Sequence, residues 1–188
     1  PYFKKAVIDA DALAPEIFEA LIQNDTAEFV ITPHYHELVR TAAYFEKELP
    51  AKKKEMSVDA LEDAVLEISK KLGVAVLLKG REDLIANGGE IRYNSTGNAG
   101  MSVGGTGDVL AGIVGSLLAK NGAAAAAGCG AYICGKAGDA AYAEVGDSLI
   151  PADLIDKIPF ALSNGSVKGK ACKHKKSKHE KSKYKCKN

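Results

Sequence analysis

The chain has 188 residues, enough for one domain or slightly more, and 46% of them are apolar, enough to bury a sizeable core. Its net charge of +1 conceals an asymmetry: residues 166–188 carry ten Lys and one Glu, a net of +9, and the residues before them carry 15 basic and 23 acidic side chains, a net of −8. No apolar run approaches the roughly 18 residues of a membrane-spanning helix, and no leader segment is visible. The four Cys make no secreted disulfide framework, so the expected compartment is reducing and cytoplasmic.

In chain order, Ala6–Asp9 reads as a short buried strand running into acids, VIDADAL. Pro15–Gln23 reads as a helix with Pro in its first turn, where a missing N–H costs nothing. Phe29–Thr32 is a second strand, stopped by Pro33, and Leu38–Leu49 is expected to be helical. Ser57 is the predicted N-cap of a helix with apolar Val58, Leu61, Val65, Ile68 and Leu72, and Gly73 is its predicted stop. Val74–Leu78 is apolar throughout, as for a strand covered on both faces.

Two strand-like runs around Gly88-Gly89 predict a hairpin. After a glycine-rich stretch, Val109, Leu110, Ile113, Val114, Leu117 and Leu118 mark one helix face. Ala123–Val145 is a further helix rich in Ala and Gly, holding Cys129 and Cys134. Pro151–Ile158 reads as a short helix closed by Pro159. Strands alternating with helices predict an α/β fold with a mostly parallel sheet, over residues 1–165. Residues 166–188, almost without apolar side chains, are expected to be a disordered tail.

Four polar segments are expected at the carboxyl edge of the sheet, where open α/β folds bind ligands. They are Asp9-Ala10-Asp11, Thr32-Pro33-His34, Lys79-Gly80 and the glycine-rich loop. The loop carries no Gly-Lys-Ser/Thr and lacks the third glycine of a dinucleotide fingerprint. Gly104-Gly105-Thr106-Gly107 opening a helix is either an anion cradle of backbone amides or a tight loop whose glycines satisfy positive φ. Asp108 is either a helix N-cap or a general base beside that cradle, taking a proton from a hydroxyl while the amides hold a phosphoryl group.

Lys79 reads as a solvated strand-end lysine or as a nucleotide contact, and His34 as an ordinary loop histidine or as a sheet-edge ligand. Cys172, His174, His179 and Cys186 in the tail fit no standard zinc spacing, and no residue is assigned as a metal ligand. The tail is a solubilising segment or binds polyanions.

From Asn98 onward, NAGMSVGGTGDVLAGIVGSLLA resembles the signature of the ADP/ATP-dependent NAD(P)H-hydrate dehydratases, enzymes of ribokinase-like fold. VIDADAL, TPH followed by Glu37, LLKG with Asp83, and GKAGDAAYAEVGDSLIPADLIDKIP fall in the order of that family, so the likeness covers residues from about 5 to 160. The resemblance implies an enzyme that uses ADP or ATP, with Mg²⁺, to phosphorylate the ring hydroxyl of hydrated NADH or NADPH (NAD(P)HX). Loss of phosphate then restores the dinucleotide.

By position, Asp108 would contact the hydrate and act as base, and His34 would face the same substrate. Lys79, Gly80, Arg81, Glu82 and Asp83 would line the adenine nucleotide. Asn98, Ala99, Gly100, Met101, Ser102, Val103, Gly104, Gly105, Thr106 and Gly107 would wrap its phosphates. Association into a homo-oligomer is expected as well. Tyr35 and His36 stand where the family has a small residue and Gly, and Ala99 stands where Pro is usual. The family's N-terminal part, with its early glycine-rich segment, is expected to be lacking. The alternatives are a ribokinase-like kinase for a thiazole, pyrimidine or sugar alcohol, and an inactive nucleotide-binding fragment. The thiazole and pyrimidine kinases commonly carry Cys where Asp108 stands.

Overall fold

The computed structural model describes residues 3–24 and 26–165. The lysine-rich segment 166–188, with Cys172, His174, His179 and Cys186, lies outside the described residues. Five strands form one sheet in the order β1-β2-β3-β4-β5: Lys5–Ile8, Glu28–Ile31, Ala75–Leu78, Asp83–Asn87 and Glu90–Asn94. The first three run parallel, with Ala6 beside Phe29 and Val30 beside Ala75. The β3–β4 and β4–β5 pairings are antiparallel, the latter closed by the expected turn at Gly88 and Gly89, with φ of 58° and 92°.

Alternation along each strand splits the apolar side chains between two faces. Ile31, Val76, Leu78, Leu84 and Ala86 point to one face, where they meet α1 (Pro15–Ile22), α2 (Tyr35–Tyr44) and α3 (Val58–Leu72). Val30, Ala75, Leu77 and Ile85 point to the other, where they meet α4 (Thr106–Leu118), α5 (Ala123–Val145) and α6 (Pro151–Gly165). The result is a three-layer α/β/α sandwich. No described helix is long and apolar enough to cross a membrane.

The expected ends of α3 hold. Ser57 Oγ accepts from the Ala60 amide at 3.1 Å, satisfying one free N–H of the first turn, and Gly73 closes the helix at φ 66°. Its face of Leu61, Val65, Ile68 and Leu72 is buried. Two helices depart from the sequence reading. α2 begins at Tyr35 rather than Leu38 and ends at Tyr44 rather than Leu49, where Glu46 turns the chain at φ 57°. A capping box sets its start: the Glu37 amide donates to His34 Nδ1 at 3.1 Å, and the His34 amide donates to Glu37 Oε2 at 2.6 Å.

α6 does not stop at Ile158; it continues through Pro159 to Gly165. Proline there removes the donor to the Ile155 carbonyl. Continuing instead buries Ala161 in the core that Leu154 anchors, and Ile155, which loses the bond, is itself half-exposed.

Candidate active site

The carboxyl ends of β1, β2 and β3 meet through one lysine. Lys79, just past β3, places its ammonium 2.7 Å from Asp9 Oδ1 and 3.8 Å from Glu37 Oε2. Its amide donates to the Pro33 carbonyl at 2.8 Å, and the Thr32 amide donates to the Ile8 carbonyl at 3.1 Å. Both acids are largely shielded from water, so the pairs are stronger than surface ion pairs. Past Asp9 the chain turns at Ala10, whose φ of 51° costs a residue with a Cβ roughly 1–2 kcal/mol. Lys79 is therefore not the solvated strand-end lysine of one sequence reading, because it ties three strand ends together.

The glycine-rich loop joins this cluster. A Cβ on Gly107 would lie 3.6 Å from Lys79 Nζ and 3.8 Å from Asp9 Oδ2, so all four expected polar segments converge. Gly105, at φ 95°, caps α4, and a Cβ there would meet Pro151 Cγ at 2.8 Å. Its positive φ and this close approach make glycine the residue that fits. The Thr106 hydroxyl lies within donating distance of the Met101 and Val103 carbonyls, at 2.8 and 2.9 Å, so that side chain braces the loop. Amides at the start of a helix have no intrahelical acceptor and carry the positive end of its dipole. Gly104, Ser102 and Val103 are exposed at its mouth.

Asp108 is not the N-cap of α4: it is the third helical residue, exposed, and among the described residues its carboxylate has no hydrogen-bond or ion-pair partner. A carboxylate with no partner among the described residues thus stands beside the amides that open α4. On its other side opens an apolar groove of about 510 Å³, lined by Val109, Ile113 and Leu117 of α4, Ile133 of α5, and Ile155, Ile158 and Leu162 of α6.

The segment after Lys79 is largely self-bonded. Asp83 Oδ1 accepts from the Gly80 amide at 3.0 Å and its Oδ2 accepts from Asn94 Nδ2 at 2.9 Å. Burial pushes the Asp83 carboxyl up, against the bonds from Asn94 and Gly80 and the charges of Lys53 and Lys79. Asp83 therefore braces the β3–β4 turn against the end of β5, while Arg81 and Glu82 are exposed within that turn. His34 presents an exposed ring whose Nδ1 is used in the cap of α2.

Three contributors were missed from sequence. Lys53, from the α2–α3 connection, sits so close to Gly80 that a Cβ there would lie 2.9 Å from its Nζ. Asn94 Oδ1 accepts from the Thr96 hydroxyl at 2.8 Å, linking Asp83 to the loop. Asp139 of α5 accepts from the Gly97 amide and from Asn98 Nδ2. The only local signal for the last was the run GKAGDAA, which reads equally as close helix packing.

Comparison with known proteins assigns first a class. Superposition on a ribokinase-like superfamily protein of Enterococcus faecalis gives a TM-score of 0.66 at 28% identity, covering 84% of this chain and 52% of that one. The ADP/ATP-dependent NAD(P)H-hydrate dehydratase of Bacillus subtilis, co-crystallised with ATP/Mg²⁺, superposes with a TM-score of 0.68 at 24% identity, covering 85% and 55%. The fold is ribokinase-like.

The family follows from sequence. The NAD(P)H-hydrate dehydratase family model matches residues 3–160, and the chain belongs to that family. The bifunctional NAD(P)H-hydrate repair enzyme Nnr of Hyperthermus butylicus is 41% identical over 162 residues, 86% of this chain. The match spans 29% of that relative's length, and this chain spans about half the length of the solved structures.

Proposed function

We propose that the chain acts in a dehydratase that returns hydrated NADH or NADPH to NADH or NADPH by removal of water, driven by ADP or ATP. Family membership supports the reaction class. The observation that carries the chemistry is the unpartnered Asp108 carboxylate beside the amides that open α4. Asp108 takes the proton of the ring hydroxyl, and the freed oxygen attacks the terminal phosphorus of the nucleotide, which leaves shortened by one phosphoryl group. The C–O bond then breaks with phosphate as leaving group while the ring gives up a proton. The ring loses the elements of water, and the nucleotide is converted to its lower phosphate plus inorganic phosphate.

Lys79 holds the strand ends in place, while the loop from Asn98 to Gly107 meets the phosphates through its amides. His34 and the groove beside Asp108 border the dinucleotide. The described residues bring no three His, Cys, Asp or Glu side chains together in a cage of their own, which suits Mg²⁺, an ion held by one or two carboxylates plus nucleotide phosphates and water. Asp9, whose Oδ2 faces Gly107, would border such an ion, and the ion would offset the charge that builds on the transferring phosphoryl group. A cytoplasmic setting, self-association and polyanion binding by the lysine-rich segment belong to the same proposal.

The test is recovery of reduced-nicotinamide absorbance from hydrated NADH, with and without ATP or ADP and Mg²⁺. Recovery only with nucleotide is expected. Phosphate transfer to a thiazole or pyrimidine alcohol in its place would make the chain a small-molecule kinase, and ATP binding without either turnover would leave a binding role. Asp108→Asn is expected to lower turnover by about 10²–10⁴ with ATP affinity retained. Unchanged turnover would remove Asp108 from the chemistry.

A further inference from the structure

One face of α5 is shaped as a seat for the start of the glycine-rich loop. A Cβ on Gly135 would lie 2.2 Å from Thr96 Oγ1, and one on Gly138 would lie 2.1 Å from Met101 Sδ. Both distances are too short for any side chain, so the loop rests directly on the helix backbone. Next to Gly138, and one helical turn beyond Gly135, stands Asp139, 41 residues from Asn98 in sequence. Its Oδ1 accepts from Asn98 Nδ2 at 3.1 Å and its Oδ2 from the Gly97 amide at 3.3 Å. Asn98 passes the restraint on, because its Oδ1 accepts from the Gly100 amide at 3.0 Å. Gly97 itself sits at φ 97°, a conformation open to glycine without steric cost, and the bond to Asp139 holds it there.

We infer that Asp139 is a positioning residue that fixes the register of the glycine-rich loop on α5, and with it the direction of the amides that meet the nucleotide. The inference rests on the nucleotide reading of that loop. A carboxylate repels phosphate, so Asp139 orients donors and does not touch the nucleotide. Hydrogen bonds to a charged acceptor are the strong kind, and they restrain the loop before any ligand arrives.

The bonding pattern suggests a swap. In Asn98→Asp combined with Asp139→Asn, the amide of residue 139 donates to the carboxylate of residue 98, and its carbonyl oxygen accepts from Gly97. The Gly100 amide still donates to residue 98, so all three bonds survive and only the one between residues 98 and 139 reverses its polarity. Asp139→Asn alone leaves two amide groups competing for one acceptor, and Asn98→Asp alone sets two carboxylates together.

The experiment uses the full chain and measures three things: amide hydrogen exchange at residues 97–107 without nucleotide, MgATP affinity, and Tm. Each single variant is expected to speed exchange at Gly97 and Gly100 and to weaken MgATP binding, on the order of tenfold, with locally exchanging amides elsewhere unchanged and Tm lowered by no more than about 2–4 °C. The double variant is expected to return exchange at Gly97 and Gly100 to within about threefold of the parent, while MgATP affinity stays weakened by the new carboxylate at residue 98. Parent-like exchange in Asp139→Asn would overturn the inference, and so would a double variant whose exchange at Gly97 and Gly100 is no slower than in the singles. Faster exchange throughout the chain would overturn it too, by making Asp139 a general brace. A parent chain that fails to bind MgATP would defeat the nucleotide reading, while the exchange measurements still decide the role of Asp139.

Discussion

The two faces of the sheet are packed by different means. Under α1, α2 and α3 the core is bulky: Phe18, Leu38, Ile68 and Leu72 are buried almost completely, and Phe18 stacks edge-on against Tyr44 at 5.2 Å. Under α4, α5 and α6 it is fine-grained, with Ala126, Ala127, Ala131, Cys134 and Ala137 contributing little volume each. Large side chains bury more apolar area per residue, so the first face contributes the greater share of stability. Small ones let backbones approach, so the second face fixes distances. The glycine-rich loop and Asp108 belong to that second face, and burial on it follows the same logic for Cys134, whose thiol is pushed up to about 12 by loss of water.

The contrast can be broken by substitutions on either side. Ile68→Ala, in the bulky core, is expected to cost about 2–5 kcal/mol in chemical denaturation while leaving MgATP affinity unchanged at a temperature where the protein stays folded. A large loss of affinity there would show that the two faces are coupled. Gly135→Ala is expected to do the reverse. The added methyl gains about 1 kcal/mol of helix propensity. It also meets the Thr96 backbone at 2.6 Å, and overpacking of this kind costs about 1–3 kcal/mol. The net stability loss is small, but the loop is displaced and MgATP affinity falls, as titration calorimetry would report. Parent-like affinity would mean the loop tolerates the shift. Ser57→Ala, on the bulky face, removes the cap of α3 and is expected to cost about 1 kcal/mol, with no effect on MgATP binding.

What could be read from sequence was whatever local pattern dictates. Ser57 and Gly73 bound α3 because capping is a matter of a few neighbouring residues, and the full length of α5 followed from its composition. The converging strand ends were legible because fully apolar strands in an α/β alternation point their carboxyl ends to one edge. The start of α2 was missed because histidine is an unusual cap, acting here only through Glu37. α6 was cut short because Pro159 breaks a helix in isolation, whereas here the helix runs on past it with Ala161 in the second core.

Within the site, Asp108 stood out by its place beside glycines. The commitment of Lys79 to Asp9 and Glu37 did not, and neither did the seat that Gly135, Gly138 and Asp139 make for the loop. Those contacts join residues tens of positions apart, such as Lys79 and Asp9, 70 residues from each other. No local periodicity encodes them.

The hairpin at Gly88 and Gly89 has a consequence of parity. β3 ends at the ligand edge, β4 runs away from it, and β5 runs back, with Asn94 level with Asp83 where β4 began. Two reversals amount to none, so the polypeptide re-emerges on the side it left. A single strand in place of the pair would have delivered the next segment to the opposite rim, on the order of 15 Å away. The detour through β4 and β5 therefore works as a return journey, which brings the glycines back to the rim where Lys79 and Asp9 already stand.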